Sequence, residues 1–577
     1  MSTKAKPSFF IAVAAVVAAL IGFAVWQFGS TDEETKAEQA TPQLSKEDMD
    51  ALKAPTEAQT PGEHITTAKE YEFVAGQKLP EVKGVAAYAP LEGDIPTVQF
   101  SINVWAGWAP IVHANEGFAA NKVWTAPDGK KFKVKLVLID DPISMRNAFA
   151  GGKIHIGWAT VDMLPLFLEE LSKDSRAMPR VYQQIDWSNG GDGIVARDNI
   201  KTVADLRGKT VVLAQNSPSQ FFLLNTLINA GVQPAEVQYK YTADAFQAAA
   251  AYHADKSIAA VVSWAPDIYN LSDVPGNKLL LSTGTANKLI ADVWFARADF
   301  AKDHHNIIEG LVRGIFDSME SIKDDNEKNK LVQWMAEGYN MPASEVSGML
   351  ADAHSTNYAE NRDFFLNANN GANFERTYNM AFFLYKKLRV VTNKTPFEQI
   401  VDFSVLESLK DDPKYAAQKN EYQVRFAPSS VEAIQAETEE ILTKTVRIHF
   451  EPTRWSFYHY DRSKGAFTEE LADPNSMFTV EEVGKMSAQY GAARIVIEGH
   501  ADASMKGKGG NEQAIKRLSQ NRADAVKEEL IKMFPNFSPD QFSTIGKGWD
   551  VPADPKKPYD HANNRRVEIK VYPAEAG

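Results

Sequence analysis

The stretch Val98-Gln99-Phe100-Ser101-Ile102-Asn103-Val104 alternates apolar and polar residues, then runs into Trp105-Ala106-Gly107-Trp108-Ala109-Pro110. Alternation with period two marks a strand buried on one face, and the Gly/Pro-punctuated segment that follows ends it. The same grammar repeats downstream. Lys133 to Ile139 predicts a strand, followed by a helix through Met145 and Phe149. Ile194–Ala196, Thr210–Leu213 and Ala259–Ser263 predict further strands, and Ser217-Pro218 starts a helix over Ser219–Ala230. Strands alternating with helices over about 96–405 predict an α/β architecture with parallel sheets.

Ligands of such sheets lie beyond the carboxyl ends of the strands. The candidate solute-binding residues are therefore Trp105 and Trp108 after the first strand, and Thr160 and Asp162 after a later one. Trp187, Ser188 and Asp192 lie in the Gly-rich loop before Ile194, Ser217 and Ser219 open a helix, and Trp264 and Asp267 follow another strand. A helix start carrying two Ser suits an anionic group through its free N–H donors. Several Trp beside Asp162, Asp186 and Asp192 suit an ammonium, by cation–π attraction and carboxylate pairing. A zwitterion or an amine fits both. Trp158 and Trp294 read as core.

Near the other end, Ile495–Ile497 predicts a buried strand leading into Gly499-His500-Ala501-Asp502. Ile515, Leu518, Val526 and Leu530 recur at helical spacing, and Arg522 lies four residues from both Leu518 and Val526, on the same face. A guanidinium there needs a carboxylate, because a buried unpaired charge is costly. Asp502 is the candidate, either as a direct ion pair or as the other half of a ligand site.

Two resemblances follow from these motifs. Gly499-His500-Ala501-Asp502, Leu518-Ser519-Gln520-Asn521-Arg522-Ala523 and Asn564-Arg565-Arg566-Val567-Glu568-Ile569, in that order, resemble the OmpA-like peptidoglycan-binding domains. The resemblance implies a small α+β domain over 444–577 in which Asp502 and Arg522 clasp the diaminopimelate of the wall's stem peptide. Ala501 and Ile515 depart from the family's usual Thr and Asn, which removes two hydrogen-bonding groups. Extra sequence with Trp455, Tyr458 and Tyr460 reads as surface decoration.

The middle resembles the periplasmic solute-binding proteins of the nitrate/sulfonate/taurine and thiamine-precursor type. Carrying that match are Trp108-Ala109-Pro110, Ala150-Gly151-Gly152, Ile156-Gly157, Ala159-Thr160-Val161-Asp162, Gly191-Asp192-Gly193-Ile194-Val195-Ala196, Val203-Ala204-Asp205-Leu206-Arg207-Gly208-Lys209 and Trp264-Ala265-Pro266. It implies two lobes that close over a small solute.

Residues 9–28 are apolar apart from Gln27, long enough to span a bilayer core. Lys4 and Lys6 before them and Asp32, Glu33 and Glu34 after them predict a cytoplasmic 1–8 and a periplasmic remainder, anchored in the inner membrane by a single pass. A cleaved signal peptide is the rival reading. Residues 29–95 predict a flexible acidic linker, and 406–443 a second linker with a helix from Ser430 to Leu442.

A net charge of -13 argues against nucleic acid as partner. The absence of Cys removes a disulfide framework and a lipid-anchored Cys. There is no GxSxG elbow and no HExxH helix, and no second ligand at useful spacing from His500. No enzyme activity, cofactor or metal site is expected. The expectation is an envelope protein that binds solute, with an ABC transporter or another envelope protein as partner. The alternative is a structural linker whose middle domain is a protein-interaction module.

Overall fold

The computed structural model describes residues 65–574 apart from 83, 452 and 505. The expected cytoplasmic segment 1–8, the anchor 9–28 and most of the first linker lie outside the described residues. No helix among the described residues is long and apolar enough to cross a membrane.

Two sheets make the larger part. The first is built from β1 (Thr97–Ile102), β2 (Trp124–Thr125), β3 (Lys131–Leu138), β4 (Ile156–Thr160) and β5 (Pro179–Ser188). The chain then crosses to a second sheet of β6 (Asp192–Arg197), β7 (Thr210–Ala214), β8 (Gln238–Thr242), β9 (Ala260–Trp264) and β10 (Asn277–Ser282). It returns to complete the first with β11 (Ala291–Arg297) and β12 (Ala353–Ser355). The strand orders are β12-β5-β11-β4-β1-β3-β2 and β10-β6-β9-β7-β8.

These sheets are mixed, where the sequence predicts parallel ones. β1, β3 and β4 run parallel, as do β7, β8 and β9, but β11 is antiparallel to β4 and β5, and β6 to β9 and β10. The cause is the double crossing, because β6 and β11 are the first strands laid down after each passage between lobes. Both crossings bring strand ends together at one place. Gly190 in the first crossing adopts φ 109°, a backbone conformation that suits glycine, and donates its N–H to Thr283 Oγ1 at the end of the second.

Apolar burial follows the strand reading. Val98, Phe100 and Ile102 are fully buried, with Trp108 and Trp294 tilted against Phe100 at centroid distances of 6.4 and 5.7 Å. Helices Pro142–Ala150 and Pro218–Asn229 form where the sequence places them.

The last quarter holds a sheet of order β13-β18-β16-β17, from β13 (Leu442–Val446), β16 (Ala493–His500), β17 (Phe542–Gly548) and β18 (Val567–Pro573). Helices Pro474–Gln489 and Glu512–Met533 pack with it, and β14 (Tyr458–Asp461) pairs with β15 (Ala466–Leu471) as a separate hairpin.

The described part of the first linker, and the second linker, are more ordered than their composition predicts. Residues 65–95 run from the second lobe to the first. Thr67 N and Oγ1 donate to Asp267 Oδ1, and Val74 N donates to Tyr241 O. Further along, Arg146 Nη2 donates to Pro80 O, Ala86 N to Ala150 O, and Ala89 N to Gly152 O. Backbone bonding, which composition does not report, fixes this strap. In the second linker the helix is shorter than expected, Val431–Glu437, and Val431 and Ile434 are buried against Val496 and Tyr572.

The C-terminal sheet and its helices dock on both lobes. Asn225 Nδ2 donates to Gln489 Oε1 (3.1 Å), Lys288 N to Gln489 O (3.1 Å), and Arg376 pairs with Glu481 at 2.7 Å.

Candidate functional site

Two places gather polar groups that the core does not explain. The first lies between the lobes. Asp292 on β11 stands directly opposite Asp186 on β5 and directly opposite Thr160 on β4. Cross-strand partners point to the same face, so two carboxylates and a hydroxyl form a row across the sheet, and like charges so placed repel. Asp162 follows Thr160 in a short 3-10 turn, and Asp192 opens β6 beyond the crossing.

All four aspartates are buried, at 4% exposure or less. Trp105 Nε1 donates to Asp186 Oδ2 (2.7 Å), and Ser188 Oγ to Asp192 Oδ2 (2.7 Å). Neither oxygen of Asp162 accepts a hydrogen bond, and Asp186 Oδ1 is likewise unpartnered. None of the four is in a salt bridge among the described residues, although the neighbouring His354 pairs with Glu360 at 3.1 Å. Burial, then mutual repulsion, raises them: Asp162 and Asp192 are pushed up to about 7, and Asp292 well above the carboxylate range. Burial also raises Asp186 to about 6, against hydrogen bonds from Asp292, which keeps its proton, and from Trp105.

The other sequence-predicted residues divide. Ser217 donates back to Ala214 O as a turn residue, while Ser219 Oγ, on the next turn, is buried without a partner. Trp187 packs edge-on to Phe364 (5.2 Å) and Trp264 to Phe246 (5.6 Å). Trp108 is fully buried and its indole Nε1 donates to Asn103 Oδ1 (2.6 Å). Asp267 spends Oδ1 on Thr67, and burial raises it to about 7. Asp292 was not anticipated, though an acidic residue opening the apolar run Ala291-Asp292-Val293-Trp294-Phe295 is a visible signal.

The second place is in the C-terminal domain. A cavity of about 360 Å3 is lined by Arg447, Phe450, Asp473, Asn475, Thr479, His500, Arg522, Arg565 and Arg566. Arg522 projects from its helix as predicted, but does not pair with Asp502. Its Nε donates to Arg454 O (3.1 Å), and its guanidinium lies 5.1 Å from the Phe450 ring centroid. Among the described residues it has no carboxylate partner, and burial, with Arg565 adding, lowers it to about 10.

Asp502 instead holds Arg565 and approaches His561 at 3.4 Å. Partial burial pushes its carboxyl up, but bonds from Ser504 and Arg565 outweigh this and bring it to about 2. Arg447, Arg565 and Arg566 complete the cationic lining. Arg565 and Arg566 were legible as a motif, whereas Arg447 carried no signal.

His500 differs from expectation too, because strand pairing brings Glu498 and Glu568 to 3.7 and 3.6 Å from its Nε2. Arg566 at 2.7 Å from Glu568, and Lys570 and Lys547 at 3.5 and 3.6 Å from Glu498, already balance these carboxylates. The group is an ion-pair network.

Residues 468–566 match the model of the OmpA family, and residues 122–328 that of the NMT1/THI5-like family. Outer membrane porin F of Pseudomonas fluorescens is 34% identical over 106 residues, which are 18% of this chain and 30% of that protein. The putative aliphatic sulfonates-binding protein of Escherichia coli (strain K12) is 25% identical over 209 residues, 36% of this chain and 62% of the relative. The taurine-binding periplasmic protein of the same strain is 24% identical over 237 residues, 41% of this chain and 69% of that protein. Among solved structures, the periplasmic aliphatic sulphonate binding protein SsuA from Escherichia coli aligns with TM-score 0.42 and 18% identity, covering 54% of this chain and 99% of that one. Residues 122–328 are thus similar to the NMT1/THI5-like family and residues 468–566, nearer the C-terminus, to the OmpA family.

Proposed function

We propose that the protein is an envelope component that takes a small solute between its two lobes and holds peptidoglycan with its OmpA domain. Its solute domain is 96–405 and its wall domain 444–577; residues 9–28 anchor it in the inner membrane, with the bulk in the periplasm. It works in capture or sensing beside an ABC transporter or another envelope protein. Catalysis has no part in this reading, in keeping with relatives named as binding proteins.

One observation carries the wall half. Arg522 is a mostly buried guanidinium without a carboxylate partner, at the edge of a cavity lined by three further arginines. A partnerless guanidinium is costly unless a ligand supplies the anion, and the carboxylate of a diaminopimelate residue fits its fork geometry. The test is co-sedimentation of the full-length chain with isolated sacculi. Binding by the parent chain and its loss in Arg522→Ala supports the reading; equal pelleting of both chains overturns the site.

A second reading has its own support. The strap 65–95 bonds to both lobes, and the wall domain docks on both, which suits a scaffold whose middle domain contacts another protein. A solute that raises the melting temperature separates the two, because only binding to the folded state does so.

A further inference from the structure

Resting on the solute-binding reading above, we infer that the interlobe site takes an organic amine, a cation large enough to span several carboxylates, and not a sulfonate or other anion. Four observations carry this. Asp162, Asp186, Asp192 and Asp292 meet where both crossings meet, and each is buried. Among the described residues none of the four is in a salt bridge, and the neighbouring basic group, His354, is bonded to Glu360. An anion entering here would find, among the described residues, no arginine or lysine paired to any of the four aspartates, whose oxygens are acceptors for an N–H donor.

The second observation is independent of the acidic count. Tyr385, fully buried on helix Phe374–Lys387, has a hydroxyl with no hydrogen-bond partner, and it lies close enough to Asp162 to be influenced by its charge. A buried hydroxyl and a buried carboxylate left open side by side are the acceptors an ammonium's N–H groups need.

The third is the aromatic wall. Trp105 is fixed by its bond to Asp186, and a side chain on Gly191 would meet its ring at 2.3 Å, so the indole lies tight over the crossing. An indole beside carboxylates stabilises an organic cation through its π-face.

The fourth separates an amine from a metal ion. Among the described residues, only Glu498, His500 and Glu568 bring three ligand atoms within 4.8 Å of one another. The interlobe carboxylates are spread more widely, which suits an extended cation.

The test uses the full-length chain and thermal melting, with putrescine, ethanolamine and tetramethylammonium against taurine and methanesulfonate. Asp162→Asn and Asp292→Asn keep the side-chain shape while replacing an acceptor oxygen by an amide donor, and far-UV circular dichroism of each checks that it folds. The expected result is stabilisation by at least one amine and none by the sulfonates, with affinity falling at least tenfold in either variant. Stabilisation by a sulfonate, undiminished in the variants, overturns the amine assignment while leaving a solute site standing. No shift with any probe overturns both the amine assignment and the solute-binding reading. Sacculus binding is unaffected in each case.

Discussion

The carboxylate of Asp502 grips the guanidinium of Arg565 and leaves Arg522, on the helix across the cavity, without an acidic partner. The two residues act by different routes. On the proposed wall-binding reading Arg522 meets the ligand, whereas Asp502 sets the position of a second arginine, Arg565, at the cavity wall. Arg522→Ala is therefore expected to abolish sacculus co-sedimentation, and Arg522→Lys to restore only part of it, because an ammonium lacks the two-pronged geometry. Asp502→Ala should weaken binding about tenfold, the size expected when a positioning partner is lost, of order 1.4 kcal/mol. Asp502→Asn, which can still accept a bond from Arg565, should retain more affinity than Asp502→Ala in the same assay.

The interlobe carboxylates make stability depend on pH. Asp186 is raised to about 6, and Asp162, Asp192 and Asp267 to about 7, from an ordinary 3.8. The folded chain therefore holds more protons than the unfolded chain between those values, and stability falls as pH rises through about 7. Of the groups around them, Asp352, Tyr269, Tyr385, Tyr422, Lys288 and His354, only His354 is seen to lower one of the carboxyls, Asp186, and burial still leaves Asp186 raised. Asp502 and Glu568, both near 2, act oppositely and withdraw their support only in stronger acid. Melting temperature against pH should decline from pH 5 to pH 8 in the parent chain and decline less in Asp162→Asn. A parent profile that rises over that interval removes the argument.

Gly107 has no room for a side chain. A Cβ there would lie 2.0 Å from Asp186 Oδ2 and 2.6 Å from Trp105 Nε1, breaking the bond that joins them. Gly107→Ala should cost about 1–3 kcal/mol, the range for a buried polar group deprived of its partner. Urea titration measures it, and amine affinity, where present, should fall with it.

Docking of the wall domain predicts coupled unfolding. A Cβ on Gly371 would stand 2.6 Å from the Cβ of Ala488 across the interface. The parent chain should unfold in one calorimetric transition, and Gly371→Val in two. Two transitions in the parent chain would show that the interface contributes little.

The strand pattern of the first lobe was legible because alternation over Val98–Ile102 reports one-sided burial directly. Helix Glu512–Met533 was legible for the same reason at helical period, and so was the inward Arg522. Sheet direction at β6 and β11 was not, because it depends on where the chain changes lobe, which no local period encodes. Asp292 and Asp186 meet only through strand register, and the Asp502–Arg565 pair closes a span of 63 residues. The strap 65–95 looked unstructured because its order is held by backbone groups and by distant partners such as Asp267 and Arg146.

That strap also sets a mechanical route. Among the described residues, traction applied from the N-terminal side meets Thr67 first, on the lobe that carries Asp267, then Val74, and afterwards Pro80, Ala86 and Ala89 on the other lobe. The load is thus taken in sequence, one lobe before its neighbour. The anchorage loaded earliest is the carboxylate of Asp267, so a pull along the strap acts on the lobe of β6–β10 before it acts on the other.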